Sequence, residues 1–599
     1  MAKKFVSMRN LRFLLDEVFN VEELIESTYF DEHNKKTFKM VLDESLKIAS
    51  KMLHPIFEEM DRKPPELVEG KVKVHPHVKK ILREFGKNGW IASSFSYDDG
   101  GEQLPLLVAN SCNFVFAAAN YSASVYSGLC AGAVKLILSF GNKELKEKYA
   151  QKMIEGKWQG TMALTEPSAG SSLSDITTSA TPDSDGAFKI KGNKIFISAG
   201  DHDGVSNVIH LVLAKIDGAP AGVKGISLFV VPKLRINGDN LTSNDVNVTQ
   251  VFHKLGYRGA PITELSFGEK DNCYGYLVGE EHKGLSYMFQ MMNEARLGVG
   301  LGATAIASAA YYAALDYTEN RVQGRKIGGK DPLSEQIPII EHSDVKRMLL
   351  FQKSIVEGSL SLILQCCKYE DMQQTASEED KNKYFLLLDL LTPVAKSYPS
   401  EMGIESVSQS IQCFGGYGYC EDFPVEQHFR DMRIHPIHEG TTGIQGMDLL
   451  GRKLVMHNGK AFFLYLEVVR KTINNVSNSD LKPLALKLEE ALKKLEHVTS
   501  HLMVLAQTKG PDVFLADSVL YLELFSIVTI AWQWMKQGVT AKEALAKDPS
   551  KSEISFYEGK IYAARFFFAY ELPKIEGLLV RLTDNDPLTI EMTAKHFID

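Results

Sequence analysis

The sequence predicts an α+β chain in which a helical stretch, a β stretch and two further helical stretches follow one another. In residues 35–57 the apolar positions Phe38, Val41, Leu42, Leu46, Ala49, Met52, Leu53 and Ile56 recur at helical spacing, and Pro55 marks where that helix stops or bends. From about residue 160 the period changes. Val208-Ile209-His210-Leu211-Val212-Leu213-Ala214 and Ile226-Ser227-Leu228-Phe229-Val230-Val231 are short β-rich runs. Asp185-Gly186, Gly192-Asn193 and Asp217-Gly218 read as the turns between strands, so an antiparallel barrel or sandwich is expected over about 160–275. Helical patterns return near Gly284, clearest over 288–317, 344–367 and 384–397, and continue past residue 460 over 481–505 and 514–535. The expected domains are 1–160, helical with a helical leader; 161–275, β; 276–456, helical; and 457–599, an additional helical domain.

Bulk properties narrow the function. A chain of 599 residues is too long for one core, and 44% apolar with 24% charged residues is an ordinary globular composition. A net charge of −8 gives no electrostatic case for binding nucleic acid or an anionic membrane. Seven cysteines without a C-x-x-C pair, with Cys366 and Cys367 adjacent, read as reduced thiols, and the expected location is cytoplasmic. The basic residues 1–10 lead into Leu11-Arg12-Phe13-Leu14-Leu15-Asp16-Glu17, which is no secretory signal. Residues 116–134 carry no charge, yet Asn120, Ser122, Ser124 and Ser127 lower their hydropathy, so a close-packed buried helix is expected there and no membrane span.

Three stretches carry specific chemistry. Leu164-Thr165-Glu166-Pro167-Ser168-Ala169-Gly170-Ser171-Ser172 offers backbone and hydroxyl donors on a turn, suited to an anionic or heteroaromatic ligand. Gln412-Cys413-Phe414-Gly415-Gly416-Tyr417-Gly418-Tyr419 lets a group approach the backbone closely, although it is not the G-x-G-x-x-G fingerprint. In His435-Pro436-Ile437-His438-Glu439-Gly440-Thr441-Thr442-Gly443, a carboxylate precedes a Gly-Thr-Thr-Gly turn and a new helix, making it both a potential base and a potential anion-binding turn. His435, His438 and Glu439 fit no metal-binding spacing, and Pro436 interrupts the helix such a site would need, so no metal is expected. Taken singly, these stretches also read as a Pro-Gly loop, a helix C-cap and a helix start.

Together and in this order they resemble the acyl-CoA dehydrogenase family over about residues 80–455. The match includes Gly192-Asn193-Lys194-Ile195-Phe196-Ile197-Ser198-Ala199-Gly200, Lys254-Leu255-Gly256-Tyr257-Arg258-Gly259, Asn293-Glu294-Ala295-Arg296 and Glu319-Asn320-Arg321-Val322-Gln323. The layout is similar to the long, methylmercaptopropionyl-CoA dehydrogenase-like bacterial branch. The resemblance implies an N-terminal helical domain, a middle β-barrel or sandwich, a C-terminal domain of four-helix-bundle type and an extra helical domain.

It further implies FAD as cofactor, an acyl-CoA substrate, electron-transfer flavoprotein as acceptor and a homodimer. Glu439 would remove the α-proton while its backbone N–H supports the thioester oxygen. FAD would contact Met162, Leu164, Thr165, Gly170, Ser171, Phe196, Ser198, Thr441 and Gly443. Arg321, Gln323, Gln412, Cys413, Phe414, Gly415 and Gly416 would hold its pyrophosphate and adenosine across the subunit interface. Ser171, Asn293, Arg296, His438 and Gly440 would border the substrate, although a surface ion pair is the plain alternative for Arg296. His438 stands where the family usually has Tyr, and a titratable imidazole there would alter the base or the substrate's shape; Gly324 stands where relatives carry Phe. An acyl-CoA oxidase is the alternative enzyme. A DNA-associated flavoprotein of the same superfamily fits less well, because residues 456–599 hold 17 Lys+Arg against 18 Asp+Glu.

Overall fold

The computed structural model describes residues 4–326, 328, 333–478 and 480–598, the side chains of 185 and 290–292 excepted. The chain divides into two compact units: residues 38–105 with 115–295, and residues 1–37 with 106–114 and 296–599.

The first unit holds the β domain. Five strands close into a ring: Ala187–Ser198 pairs with Tyr274–Leu277, then come Ile226–Pro232, Asn207–Ile216 and Ser179–Pro182, and the last returns to Ala187–Ser198. Trp158–Ala163 extends the sheet beyond Asn207–Ile216, and Ile262–Phe267 with Val246–Val251 extends it beyond Ala187–Ser198. The expected antiparallel barrel is present, with two parallel pairings onto Asn207–Ile216, from Trp158–Ala163 and from Ser179–Pro182. Ala180, Ile190, Val212, Phe229, Val231 and Leu265 fill its interior.

Gly192-Asn193, expected as a turn, lies inside the Ala187–Ser198 strand. There Gly192 has φ +155°, and a Cβ would lie 2.5 Å from Thr178 Oγ1 and 2.8 Å from its Cα. Close strand approach, and not a reversal, explains that glycine. Two details of the preceding helical region also differ. Glu66–Val68 and Lys71–Lys73 form a small hairpin, turned by Glu69 and Gly70 at positive φ. The uncharged stretch 116–134 is not one helix. Asn120 leaves helical geometry at φ −166°, and its side chain accepts the Ala123 N–H, capping a second helix, Tyr121–Phe140.

The second unit is built on two long helices, Ser343–Thr375 and Glu378–Phe414, with Ser518–Leu545 laid on the former. Gly358 makes that approach possible, since a Cβ there would lie 2.8 Å from Ile530 Cγ2 and Trp534 Nε1. Trp534 Nε1 donates to the Ser354 carbonyl at 3.0 Å, and Ser361 Oγ donates to Gln533 Oε1 at 2.8 Å. Phe462, Leu466, Val469, Phe566, Phe567 and Phe568 are buried in the core that also takes Leu387, Leu391 and Val394. The segment after residue 460 is therefore docked, with Phe463 facing outward.

Three helices among the described residues, Tyr121–Phe140, Gly284–Asn320 and Ser518–Leu545, are long and apolar enough to cross a membrane. The apolar windows of the last two are 89% and 83% buried in protein, that of the first 39%.

Candidate active site

In the barrel unit, Leu164-Thr165-Glu166-Pro167-Ser168-Ala169 is a tight loop closed by reciprocal backbone bonds between Glu166 and Ala169, at 2.8 and 3.1 Å. The Ile195 N–H donates to the Thr165 carbonyl at 2.9 Å, tying the loop to the Ala187–Ser198 strand. Glu166, which the sequence presents only as a loop residue, organises the whole. Its buried carboxylate accepts from the amides of Thr177 (2.6 Å) and Thr178 (3.0 Å), from both their hydroxyls (2.8 and 2.6 Å) and from Lys194 Nζ (2.8 Å). Lys194, also buried, donates its other bond to the Leu164 carbonyl at 2.9 Å. Burial would raise the Glu166 pKa, but the Lys194 charge and these donors outweigh it and lower the pKa to about 2. For Lys194, burial prevails over Glu166 and lowers the pKa to about 8.

This scaffold presents Thr165 and Ser198 half-buried and Gly170 and Ser171 exposed. Phe196 is 57% exposed, sits at φ +59° and packs against Phe252 in a tilted arrangement, ring centroids 5.0 Å apart. A large aromatic ring held outward in left-handed backbone, on the strand to which the hydroxyl-bearing loop is tied, is a platform for a flat heteroaromatic ligand such as a flavin, so these residues fit the expected cofactor.

In the other unit, Thr441 caps the helix Thr442–Asp448 by accepting the Ile444 N–H at 3.4 Å. Gln445, buried inside that helix, donates to the carbonyls of Glu439 and Gly440 at 3.1 and 3.4 Å, and the Thr442 N–H donates to the Pro436 carbonyl at 3.1 Å. These bonds hold Glu439 at φ +54° and Gly440 at φ +90°. A glutamate in the left-handed region costs about 1–3 kcal/mol, a strain found where a side chain's placement matters. Glu439 is half-buried, and its pKa is raised because burial exceeds the opposing influence of Arg296 and Lys396.

Arg296 is no surface ion pair. It is buried and bound to Asp448 at 2.8 Å. His438 stands perpendicular to His435 with centroids 5.3 Å apart, and burial lowers its pKa well below the ordinary imidazole value, so it is neutral rather than a titrating neighbour of the base. Asn293 is half-buried. The glycine run begins where the Glu378–Phe414 helix ends, Gly415 turning to φ +61°. Gln412, Gly415 and Gly416 are exposed, but Cys413 and Phe414 point inward. Cys413 Sγ accepts from Gln352 at 3.7 Å and Phe414 stacks on Tyr317, so for these two only the backbone is open to a ligand. Arg321 is exposed and bonds locally to the Val322 carbonyl and to Gln323 Oε1. Sequence reasoning missed Glu166 and Lys194, although both stand within the motifs it singled out, and Lys396.

The chain matches family models described as acyl-CoA dehydrogenase, N-terminal domain (35–157), middle domain (161–269) and C-terminal domain (282–454), and acetyl-CoA dehydrogenase C-terminal like (465–593). It is 34% identical over 581 residues to 3-methylmercaptopropionyl-CoA dehydrogenase of Ruegeria pomeroyi, covering 96% of this chain and 97% of that one. It is 33% identical over 604 residues to a butyryl-CoA dehydrogenase of Syntrophomonas wolfei, covering 99% and 98%. The fold superposes on an acyl-CoA dehydrogenase complexed with FAD from Bacillus anthracis with a TM-score of 0.71 at 21% identity, covering 93% of each chain. Fold and sequence define a flavin-dependent oxidoreductase. The chain belongs to the acyl-CoA dehydrogenase superfamily, in its form with an extra C-terminal domain, and catalyses FAD-dependent dehydrogenation of an acyl-CoA.

Proposed function

We propose that Glu439 is the base that converts the acyl-CoA thioester to its trans-2-enoyl form. The carrying observation is a half-buried carboxylate at positive φ, fixed through its own carbonyl by Gln445 and raised in pKa by burial. Removing a weakly acidic α-proton calls for a carboxylate stripped of water, because solvation is what makes a carboxylate a poor base. The Cα–H bond breaks, the proton passes to a Glu439 oxygen, and the electron pair enters the forming double bond as the β-hydrogen leaves. FAD, when bound, supplies the acceptor for that hydride. Thr165, Ser171, Phe196 and Ser198, with Met162, Leu164 and Gly170 beside them, are proposed to seat its ring, and Thr441 and Gly443 to contact it near the base. Arg321, Gln323, Gln412 and the backbone of 413–416 are proposed for its pyrophosphate and adenosine.

For the substrate, Arg296, Asn293, His438 and Gly440 are the proposed border. Because burial keeps His438 neutral, its contribution is shape and hydrogen bonding rather than charge. The proposed acceptor is electron-transfer flavoprotein, the proposed assembly a homodimer and the proposed location the cytoplasm, in keeping with seven free cysteines. Glu439→Gln tests the central claim. Mixed anaerobically with a panel of acyl-CoAs, the yellow, FAD-loaded variant is expected to lose nearly all flavin bleaching, and bleaching at the normal rate excludes Glu439 as the base.

A further inference from the structure

Within the Glu378–Phe414 helix lies a lysine with no visible partner. Lys396 is fully buried, and its Nζ makes no hydrogen bond among the described residues. An ammonium taken out of water needs an anion or a dipole to offset the lost hydration. The packing around it shows which anion is free to do so. Gly300 lies against the Lys396 turn, since a Cβ there would be 1.9 Å from the Ala395 carbonyl oxygen and 3.5 Å from Lys396 Cα. Arg296, one helical turn earlier on the same face, is thereby brought to the same place.

The charged and titratable groups around Lys396 sort cleanly. Arg296 is occupied by Asp448, which also binds Arg452 at 2.5 Å. His435 and His438 are kept neutral by burial. Glu401, on the same helix, is exposed and screened by water; it accepts the Thr442 hydroxyl while the Thr442 N–H donates to the Pro436 carbonyl at 3.1 Å, which ties the turn carrying Glu439 to this helix just beyond Lys396. Glu439 remains as the half-buried carboxylate with no bonded cation among the described residues. The charges of Arg296 and of Lys396 both reach it, but only that of Lys396 is not already bonded to another carboxylate. Burial lowers the Lys396 pKa to about 8, against the opposing pull of Glu401 and Glu439, so it is still charged at neutral pH.

We infer that Lys396 is a positioning residue whose buried ammonium keeps Glu439 ionised in the resting enzyme, so that the base is ready before substrate arrives. Burial makes Glu439 a strong base but also drives it to pick up a proton from water, and a cation held out of hydrogen-bonding contact balances the second effect without consuming the carboxylate's lone pairs. After the α-proton is taken, the same ammonium faces a neutral acid, which favours release of the proton to solvent.

The inference rests on Glu439 being the base, and its test separates the two. In Lys396→Met the acid limb of kcat/KM is expected to move to higher pH by about one unit, the size of a single near-charge effect. Lys396→Arg, which keeps the charge, should restore the wild-type limb. Infrared difference titration of the protonated carboxyl band, identified by its loss in Glu439→Gln, should show the same shift without turnover. Should the methionine variant fail to fold, Lys396→Gln carries the same comparison. An unmoved limb and an unmoved carboxyl band in a folded, FAD-loaded neutral variant overturn the role of Lys396 and leave the base intact, whereas normal bleaching by Glu439→Gln overturns both.

Discussion

The Glu166–Lys194 pair offers a sharp test of how the loop at 164–171 is held. Glu166 falls from 4.5 to about 2 on folding, which corresponds to roughly 3 kcal/mol in favour of the native state at neutral pH. The sign follows from the direction: a depressed carboxyl pKa stabilises above its unfolded value and loses that contribution as pH falls from about 4.5 toward 2. Lys194 falls from 10.5 to about 8, which opposes folding by a comparable roughly 3 kcal/mol below pH 8 and ceases to do so above 10.5. The two contributions oppose each other in sign, so the pair fixes geometry more than it adds net stability. Removing one partner is another matter. Glu166→Leu strands a buried ammonium and should cost about 3–5 kcal/mol in urea unfolding of the apoprotein. Glu166→Leu with Lys194→Met should recover most of that loss, yet still bind FAD more weakly, because the Thr177 and Thr178 donors no longer have the acceptor that shapes the loop. Equilibrium unfolding gives the first quantity and fluorescence titration with FAD the second. A double variant as unstable as the single one refutes the coupling, and wild-type FAD affinity in the double refutes the loop's dependence on Glu166.

Other outcomes follow from single contacts. Arg321→Ala should lower FAD retention on dilution and gel filtration, because a guanidinium–phosphate contact is charge-assisted and bidentate; unchanged occupancy counts against that contact. Gly300→Ala should destabilise by about 1–3 kcal/mol or more in thermal unfolding, since its Cβ would sit 1.9 Å from a backbone oxygen that only helix separation can relieve. A melting curve like the wild type would show that the two helices are not locked there. Light scattering of the full chain should report the proposed homodimer at micromolar concentration; a stable tetramer refutes this.

What the sequence revealed, and what it hid, divides along the range of the interactions involved. The helix–β–helix order was legible because periodicity is local: Phe38 to Ile56 and Val208 to Ala214 announce their elements without reference to anything distant. Glu439 stood out for a related reason, a carboxylate before Gly-Thr-Thr-Gly at a fixed distance from two other unusual loops. Misreadings occur where a residue's local signal has two physical causes. Gly192-Asn193 reads as a turn, but the glycine answers to Thr178 across the sheet. Asn120 reads as a polar residue lowering hydropathy, whereas its side chain ends one helix and starts the next.

The deeper gap concerns charge. Glu166, Lys194 and Lys396 resemble solvated residues in a list of letters, because a lone Glu or Lys is almost always at the surface. Nothing within a few positions of Lys396 shows that Gly300 will bring another helix onto its turn, that Asp448 will bind Arg296, or that Thr442 will tie the turn carrying Glu439 to the same helix. Those pairings arise only after packing has removed water. The residues on which the chemistry is proposed to depend are therefore of two kinds: a base whose position is written in a short motif, and buried charges that set the conditions under which it works, written only in the contacts between distant helices and strands.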